Sequence, residues 1–289
     1  MAADKESMLS FRIYGKAPYS VCTVHGGPGA RSEMTAVARE LAKARGVVES
    51  LQTATTLDGQ VEELKTVLES ACGTAAVLIG HSWGAWLAFI VAALHPRLVK
   101  KLLLVGSGPF EEQYVSALDA TRLERLSHPE KAEWEKILKA LDDPAVRGKN
   151  ALLEKLGALA IKTDNYEAVE DAVSETDRIV PQWNVFRGAW ADAAKWRRSG
   201  KLLALGKRVR CPVVAIHGDY DPHPAQGVQK PLSGVLKDFR FILLKECGHS
   251  PWMERRARDR FYKIIETELA RSLNRNPATS NPGSRNRLE

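Results

Sequence analysis

The clearest chemical signal in the chain is the pentapeptide Gly80-His81-Ser82-Trp83-Gly84. An apolar run precedes it and a longer apolar run follows it, so the pattern predicts a tight turn between a strand and a helix. Glycine suits both outer positions because such a turn leaves no space for side chains there. Ser82 would then stand at the tip, where the helix N-terminus and the Trp83 backbone N–H can stabilise a negatively charged oxygen. The pentapeptide therefore predicts a nucleophilic serine.

A serine nucleophile needs an imidazole to take its proton. Of the seven histidines, His249 alone follows a predicted strand near the C-terminus, through Cys247-Gly248. Loops at the carboxyl ends of parallel strands are where sheets of this kind carry their functional groups. The other six, among them His217 and His223, suit turn, cap or surface positions. We therefore predict that His249 is the base, and that Cys247 is a packing residue rather than a rival nucleophile.

The base needs a carboxylate to hold its ring, located between the serine and the histidine in chain order. The segment after the predicted strand 213–216 offers Asp219 and Asp221. Asp219 lies in the tight turn and is expected to cap it. Asp221 is the predicted acid.

A second donor for a developing oxyanion is expected from an earlier strand-to-helix loop. The sequence His25-Gly26-Gly27-Pro28-Gly29 follows a predicted strand at 19–24. Glycines let the backbone approach a ligand closely. We predict an oxyanion hole formed by the backbone N–H groups of Gly26, Gly27 and Trp83.

The elements that must position these residues alternate between strand and helix over residues 19–106, which predicts a mostly parallel sheet with helices on both faces. Helical patterns without a strand then fill 110–205, and the strand rhythm returns after 207. We predict an α/β core in two parts, 1–109 and 206–273, with an inserted helical cap at 110–205. The tail 274–289 has a composition typical of disorder.

Composition and charge also indicate which partners, membranes and cofactors to expect. The net charge of +7 is spread over the chain without a nucleic-acid-binding motif, and no apolar run is long enough to cross a membrane. The four cysteines have no metal-site spacing. We expect a cytoplasmic monomer or homodimer that binds a small molecule and neither nucleic acid nor membrane, and that needs no metal and no organic cofactor.

Together these motifs resemble the α/β-hydrolase superfamily, and more narrowly its proline iminopeptidase-like and esterase-like group. There the H-G-G-P-G motif supplies the oxyanion loop and G-x-S-W-G the nucleophile turn. The resemblance covers roughly residues 8–110 and 207–272. It implies a Ser82–His249–Asp221 triad and a cap that roofs the site.

Two segments depart from the peptidase pattern. Residues 49–53 replace an Asp-x-Arg-Gly-like turn, and Arg187 stands where the cap motif W-x-x-W-E has its glutamate. An arginine would repel the ammonium group of an aminopeptidase substrate. Glu170 and Glu175 remain possible substitutes for that glutamate.

Three cap aromatics share one helical face at i, i+3 and i+7: Trp183, Phe186 and Trp190. They can form an apolar lid over the substrate or the core of the cap, and the sequence leaves both readings open.

The sequence thus predicts a serine hydrolase that cleaves an ester or amide bond of a small molecule through an acyl-enzyme. The alternatives are a proline iminopeptidase-like aminopeptidase, an acyltransferase, and a ligand-binding protein without turnover on the same fold.

Overall fold

A computed structural model describes residues 11–29, 33–169 and 180–273. Seven strands form one sheet: β1 (Phe11–Tyr14), β2 (Tyr19–Val24), β3 (Gly46–Ser50), β4 (Ala76–His81), β5 (Val99–Val105), β6 (Val213–Gly218) and β7 (Phe239–Leu244). The same ranges contain ten α-helices: α1 (Thr35–Ala42), α2 (Leu57–Val67), α3 (Trp83–Leu94), α4 (Val115–Arg125), α5 (His128–Asp142), α6 (Lys149–Asp164), α7 (Trp183–Arg198), α8 (Lys201–Ala204), α9 (Gln226–Val235) and α10 (Arg258–Leu273).

The strands lie in the order β1-β3-β2-β4-β5-β6-β7. Only β1 runs antiparallel to its neighbour, and the other pairs are parallel. Parallel neighbours require crossover connections, which the helices provide. This confirms the predicted α/β-hydrolase-type fold with a mostly parallel sheet.

Both faces of the sheet are covered. Along β4, Val77 and Ile79 pack on one side with α1 and α10, whereas Ala76 and Leu78 pack on the other with α2 and α3. The alternation follows from the two-residue period of a strand. Helix α3 is buried along nearly its whole length, so the chain held at its N-terminus has little freedom to move.

The segment between β5 and β6 contains α4 to α8, and its described residues contribute no strand to the seven-stranded sheet. Its position agrees with the predicted insertion at 110–205, although the domain boundaries themselves stay a prediction. The predicted tail at 274–289 lies outside the described residues. Among the described helices, none combines the length and apolar character needed to cross a bilayer.

A buried ion pair fixes α10 to the middle of the sheet. Lys101 of β5 donates to the Glu268 carboxylate at 2.6 Å and to the Glu268 backbone carbonyl at 3.0 Å. Both side chains are less than a tenth exposed. Arg240 and Arg271 bind the second carboxylate oxygen from positions near the surface.

We expect Glu268→Gln to lower the free energy of unfolding by about 3 kcal/mol, because it leaves the Lys101 ammonium buried without a counter-charge. The matched control is Glu266→Gln on the same helix, whose carboxylate is exposed and pairs with Arg45. That change should cost less than about 1 kcal/mol. Urea denaturation measures the free energy of unfolding of both variants relative to wild type. Equal decreases in the two variants would contradict a stabilising role for the buried pair.

Candidate active site

Ser82 lies at the tip of a sharp turn between β4 and α3. Its φ of 52° and ψ of −114° are unusual for a residue with a side chain. A Cβ at Gly80 would lie 2.3 Å from the Gly84 carbonyl oxygen, and one at Gly84 would lie 2.2 Å from the Val24 carbonyl oxygen. Both positions therefore require glycine. The strained backbone of Ser82 is a signature of functional sites.

His249 and Asp221 come together from neighbouring loops. Asp221 follows β6 and His249 follows β7, so both lie at the carboxyl edge of the sheet. The Nδ1 of His249 donates to Oδ2 of Asp221 at 2.8 Å. The second ring nitrogen, Nε2, is thereby left with its lone pair available to accept a proton.

Three imidazoles surround the Asp221 carboxylate, which is fully buried. Burial would raise the pKa of Asp221, but the facing rings of His249, His223 and His217 outweigh it and hold the pKa well below its usual range. Asp221 is therefore ionised. The His217 ring lies 3.4 Å from Oδ2 and donates to the backbone carbonyl of His223 at 2.8 Å.

His223 contacts the Asp221 carboxylate, although we predicted only a turn, cap or surface position for it from the sequence. Its backbone N–H and its Nδ1 both donate to Oδ1 of Asp221, at 2.9 and 2.7 Å. Its ring stacks on His249 with centroids 4.4 Å apart and planes 18° apart. The available signal was its position two residues after Asp221, where an aspartate side chain commonly accepts a backbone N–H.

Asp219, the rival acid, lies elsewhere. Its carboxylate is 3.3 Å from the backbone N–H of Cys247 and 3.5 Å from the Lys245 ammonium. These contacts join the turn after β6 to the loop after β7, and the expected cap within the turn itself stays a prediction. Burial raises the pKa of the Cys247 thiol, which disfavours the thiolate that a nucleophile needs.

Ser82 and His249 lie on adjoining segments, although no hydrogen bond joins the Ser82 hydroxyl to His249 in the described chain. His81, next to Ser82, bonds the His249 backbone carbonyl at 3.0 Å, and the two rings lie 4.6 Å apart. Catalytic hydrogen bonds are often long without substrate and tighten when it binds.

The glycine loop differs from the prediction at one position. The Gly26 N–H donates to the Glu33 carboxylate at 2.9 Å, so it is already engaged. Gly27 has a φ of 41°, and its N–H has no acceptor among the described residues; the same holds for the Trp83 N–H at the start of α3. We correct the predicted donor set to Gly27 and Trp83, whose oxyanion role stays a prediction.

Glu33 was not singled out from the sequence, and it supports this loop. Its Oε2 lies 3.1 Å from Nδ1 of His81 as well as accepting from Gly26. Burial would raise the pKa of Glu33, but the charge and hydrogen bonding of His81 outweigh it and lower the pKa from 4.5 to about 2. An ionised Glu33 therefore joins the glycine loop to the residue that precedes Ser82.

The helices between β5 and β6 place an ion pair beside His249. The Asp164 carboxylate at the end of α6 binds the Arg122 guanidinium through both of its oxygens, and its backbone carbonyl accepts the His249 N–H at 2.7 Å. Burial would raise the pKa of Asp164, but Arg122 lowers it, so the pair is ionic.

One group of side chains has the composition of a metal site. Potential ligand atoms of Asp164, His223 and His249 lie within 4.8 Å of one another. The Asp164 carboxylate is already paired with the Arg122 guanidinium, whose positive charge would repel a cation bound beside it. We therefore assign no metal to this group.

The three aromatic residues singled out from the sequence form a continuous stack. Trp183 lies 5.9 Å from Phe186, which lies 6.1 Å from Trp190, and Trp190 stacks on Trp86 of α3 at 5.7 Å. The stack joins α7 to α3, the helix that begins beside Ser82. Substrate contact by these residues stays a prediction.

The N-terminus of α7 lies against the glycine loop, since Gln182 donates to the Gly29 carbonyl at 3.3 Å. Arg187, which stands where the peptidase motif has its glutamate, is exposed. Glu170 and Glu175, the possible amine ligands, lie outside the described residues.

The Glu33 contacts predict an acid-dependent stability. We expect Glu33→Gln to lower the free energy of unfolding by about 1 kcal/mol at about pH 5, a modest value because the carboxylate is 31% exposed. Folding lowers the pKa of Glu33, so its contribution is present above about pH 4.5 and is lost as the pH falls through about 2.

The measurement is urea denaturation of wild type and Glu33→Gln at about pH 5 and about pH 3. The difference in the free energy of unfolding between wild type and Glu33→Gln should be smaller at about pH 3 than at about pH 5. Glu40→Gln, which removes an exposed carboxylate of α1, is the control. A Glu33→Gln difference that is the same at both pH values would contradict the assignment.

Comparison with known proteins agrees with this architecture. The mouse protein epoxide hydrolase 4 is 34% identical over 109 residues, which are 36% of this chain and only 30% of that protein. The esterase of Thermogutta terrifontis has a TM-score of 0.62 at 18% identity, covering 91% of this chain and 93% of that one. The proline iminopeptidase of Mycobacterium smegmatis has a TM-score of 0.59 at 17% identity, covering 91% and 94%.

The family model matches residues 23–263, a span that includes the glycine loop, the Ser82 turn and the loops of Asp221 and His249. The match covers most of the chain. The protein therefore belongs to the alpha/beta hydrolase family.

Proposed function

We propose that the protein is a serine hydrolase that cleaves an ester bond of a small molecule through an acyl-enzyme. The observation that carries this proposal is the His249–Asp221 pair, bonded at 2.8 Å, at the sheet edge where Ser82 is held in a strained turn. Membership in a hydrolase family supports hydrolytic chemistry, whereas the serine mechanism rests on this geometry.

The reaction would proceed in two halves. Ser82 attacks the carbonyl carbon while His249 takes the hydroxyl proton on Nε2, and His249 then gives that proton to the leaving alcohol. Asp221 holds the ring through Nδ1 and stabilises the imidazolium. Water, deprotonated by His249, attacks the acyl-enzyme and releases the acid with Ser82 restored.

The negative oxygen formed in both halves needs donors that are not otherwise engaged. The N–H groups of Gly27 and Trp83 meet this requirement among the described residues of the two loops. Such donors contribute about 3 kcal/mol each when aimed at the developing oxyanion.

The charges around the site favour an ester over a peptide with a free N-terminus. An aminopeptidase must hold the substrate ammonium with a carboxylate. Asp164 is neutralised by Arg122, and Glu33 is engaged by Gly26 and His81. Within the described residues, neither of these carboxylates beside the triad is left to bind an amine.

Similarity to an epoxide hydrolase over about a third of the chain does not favour epoxide hydrolysis here. Opening of an epoxide by the Ser82 hydroxyl would leave an ether, which has no carbonyl for water to attack. Release would then require a carboxylate nucleophile, and the turn carries a serine.

The first test compares a short-chain p-nitrophenyl ester with a prolyl aminomethylcoumarin amide. We expect rapid ester cleavage, little amide cleavage and, in Ser82→Ala, at least about a thousand-fold loss of kcat. Rapid amide cleavage would favour the aminopeptidase, and product transferred to an added alcohol in preference to water would favour the acyltransferase. Tight substrate binding without turnover would favour a binding protein.

The choice of acid has its own test. Asp221→Asn should lower kcat by about ten-thousand-fold, because the amide can no longer hold the His249 ring in the required tautomer. Asp219→Asn is the matched control and should change kcat less than about tenfold. Steady-state kinetics on the p-nitrophenyl ester measures kcat for both variants. A larger decrease of kcat in Asp219→Asn would overturn the assignment of Asp221 as the acid.

A further inference from the structure

We propose that His223 is a positioning residue of the triad, which sets the rotation of the Asp221 carboxylate by hydrogen bonding to Oδ1. The proposal deepens the proposed function and rests on it for its kinetic consequences. The catalytic residues themselves remain Ser82, His249 and Asp221.

The two oxygens of Asp221 are divided between two histidines. Oδ1 accepts two N–H groups of His223, at 2.9 and 2.7 Å, whereas Oδ2 accepts Nδ1 of His249 at 2.8 Å. A carboxylate that could turn about its terminal bond would present either oxygen to the base at varying angles. Two short bonds on Oδ1 remove that freedom and direct Oδ2 at His249.

The His223 side is itself rigid. His223 lies between Pro222 and Pro224, whose rings fix the backbone φ on either side. His217 donates to the His223 carbonyl at 2.8 Å and anchors the turn to the end of β6. His223 is buried, so water competes little for these bonds.

The His223 ring also stacks on His249 at a centroid distance of 4.4 Å. Stacking and hydrogen bonding are separable by substitution. In His223→Asn the amide Nδ2 can donate from nearly the position of Nδ1, without a stacked ring. His223→Phe keeps a ring but has no side-chain donor, and His223→Ala has neither, whereas the backbone N–H that bonds Oδ1 is present in all three variants.

We expect His223→Ala and His223→Phe to lower kcat on the p-nitrophenyl ester by about 10- to 100-fold, the usual cost of a misplaced catalytic group. KM should change less than about twofold, since His223 is not assigned to the substrate. His223→Asn should recover kcat to within about threefold of wild type. His128→Asn, at an exposed position of α5, is the control for loss of a histidine.

A second readout does not depend on the proposed function. The Nδ1 proton of His249 that bonds Asp221 should give a far-downfield proton resonance in the NMR spectrum, which His249→Ala identifies by removing it. It should shift or broaden in His223→Ala and His223→Phe and remain sharp in His223→Asn. Thermal unfolding of each variant sets an assay temperature at which all are folded.

The proposal is overturned if His223→Ala keeps wild-type kcat and an unchanged resonance, if His223→Phe recovers activity as well as His223→Asn, or if the loss is in KM alone. If the resonance responds as expected while Ser82→Ala retains full activity, the positioning role stands and the proposed function fails.

Discussion

The rest of the site depends on the hydrogen bonds that stabilise the buried carboxylate of Asp221. Removing a carboxylate from water costs several kcal/mol, and only short hydrogen bonds from well-placed donors offset that cost. Here the donors come from two loops, since His223 lies in the loop of Asp221 itself and His249 in the next. Because the hydrogen bonds to this one buried charge come from both loops, they fix the loop after β6 to the loop after β7. The same bonds fix the tautomer of the proposed base.

A second buried carboxylate joins this edge of the sheet to the segment after α6. Glu254 accepts the backbone N–H groups of Tyr166 and Glu167 from the segment after α6, and that of Gly248 beside the base. The backbone carbonyl of Asp164 bonds the His249 N–H at the same place. The segment after α6 is thus attached to the edge of the sheet through the loop that contains His249.

Much of this architecture could be predicted from the sequence because it depends on local pattern. The spacing of the apolar residues predicted the parallel sheet. The two glycines around Ser82 predicted the turn, since each occupies a position with no room for a Cβ. Chain order limited the acid to Asp219 or Asp221, and Asp221 was chosen because Asp219 was expected to cap the tight turn. Glu33 could not be found in this way, because its role depends on contacts with Gly26 and His81 that only the folded chain creates.

The central claim is that Ser82 forms the covalent acyl-enzyme, and covalent labelling tests it most directly. A fluorophosphonate transfers its phosphonyl group to an activated serine and releases fluoride, which gives a stable adduct that peptide mass spectrometry can locate. The account predicts one adduct on Ser82, absent in Ser82→Ala and strongly slowed in His249→Ala. An adduct on another residue, or labelling of Ser82 at an unchanged rate in His249→Ala, would contradict it.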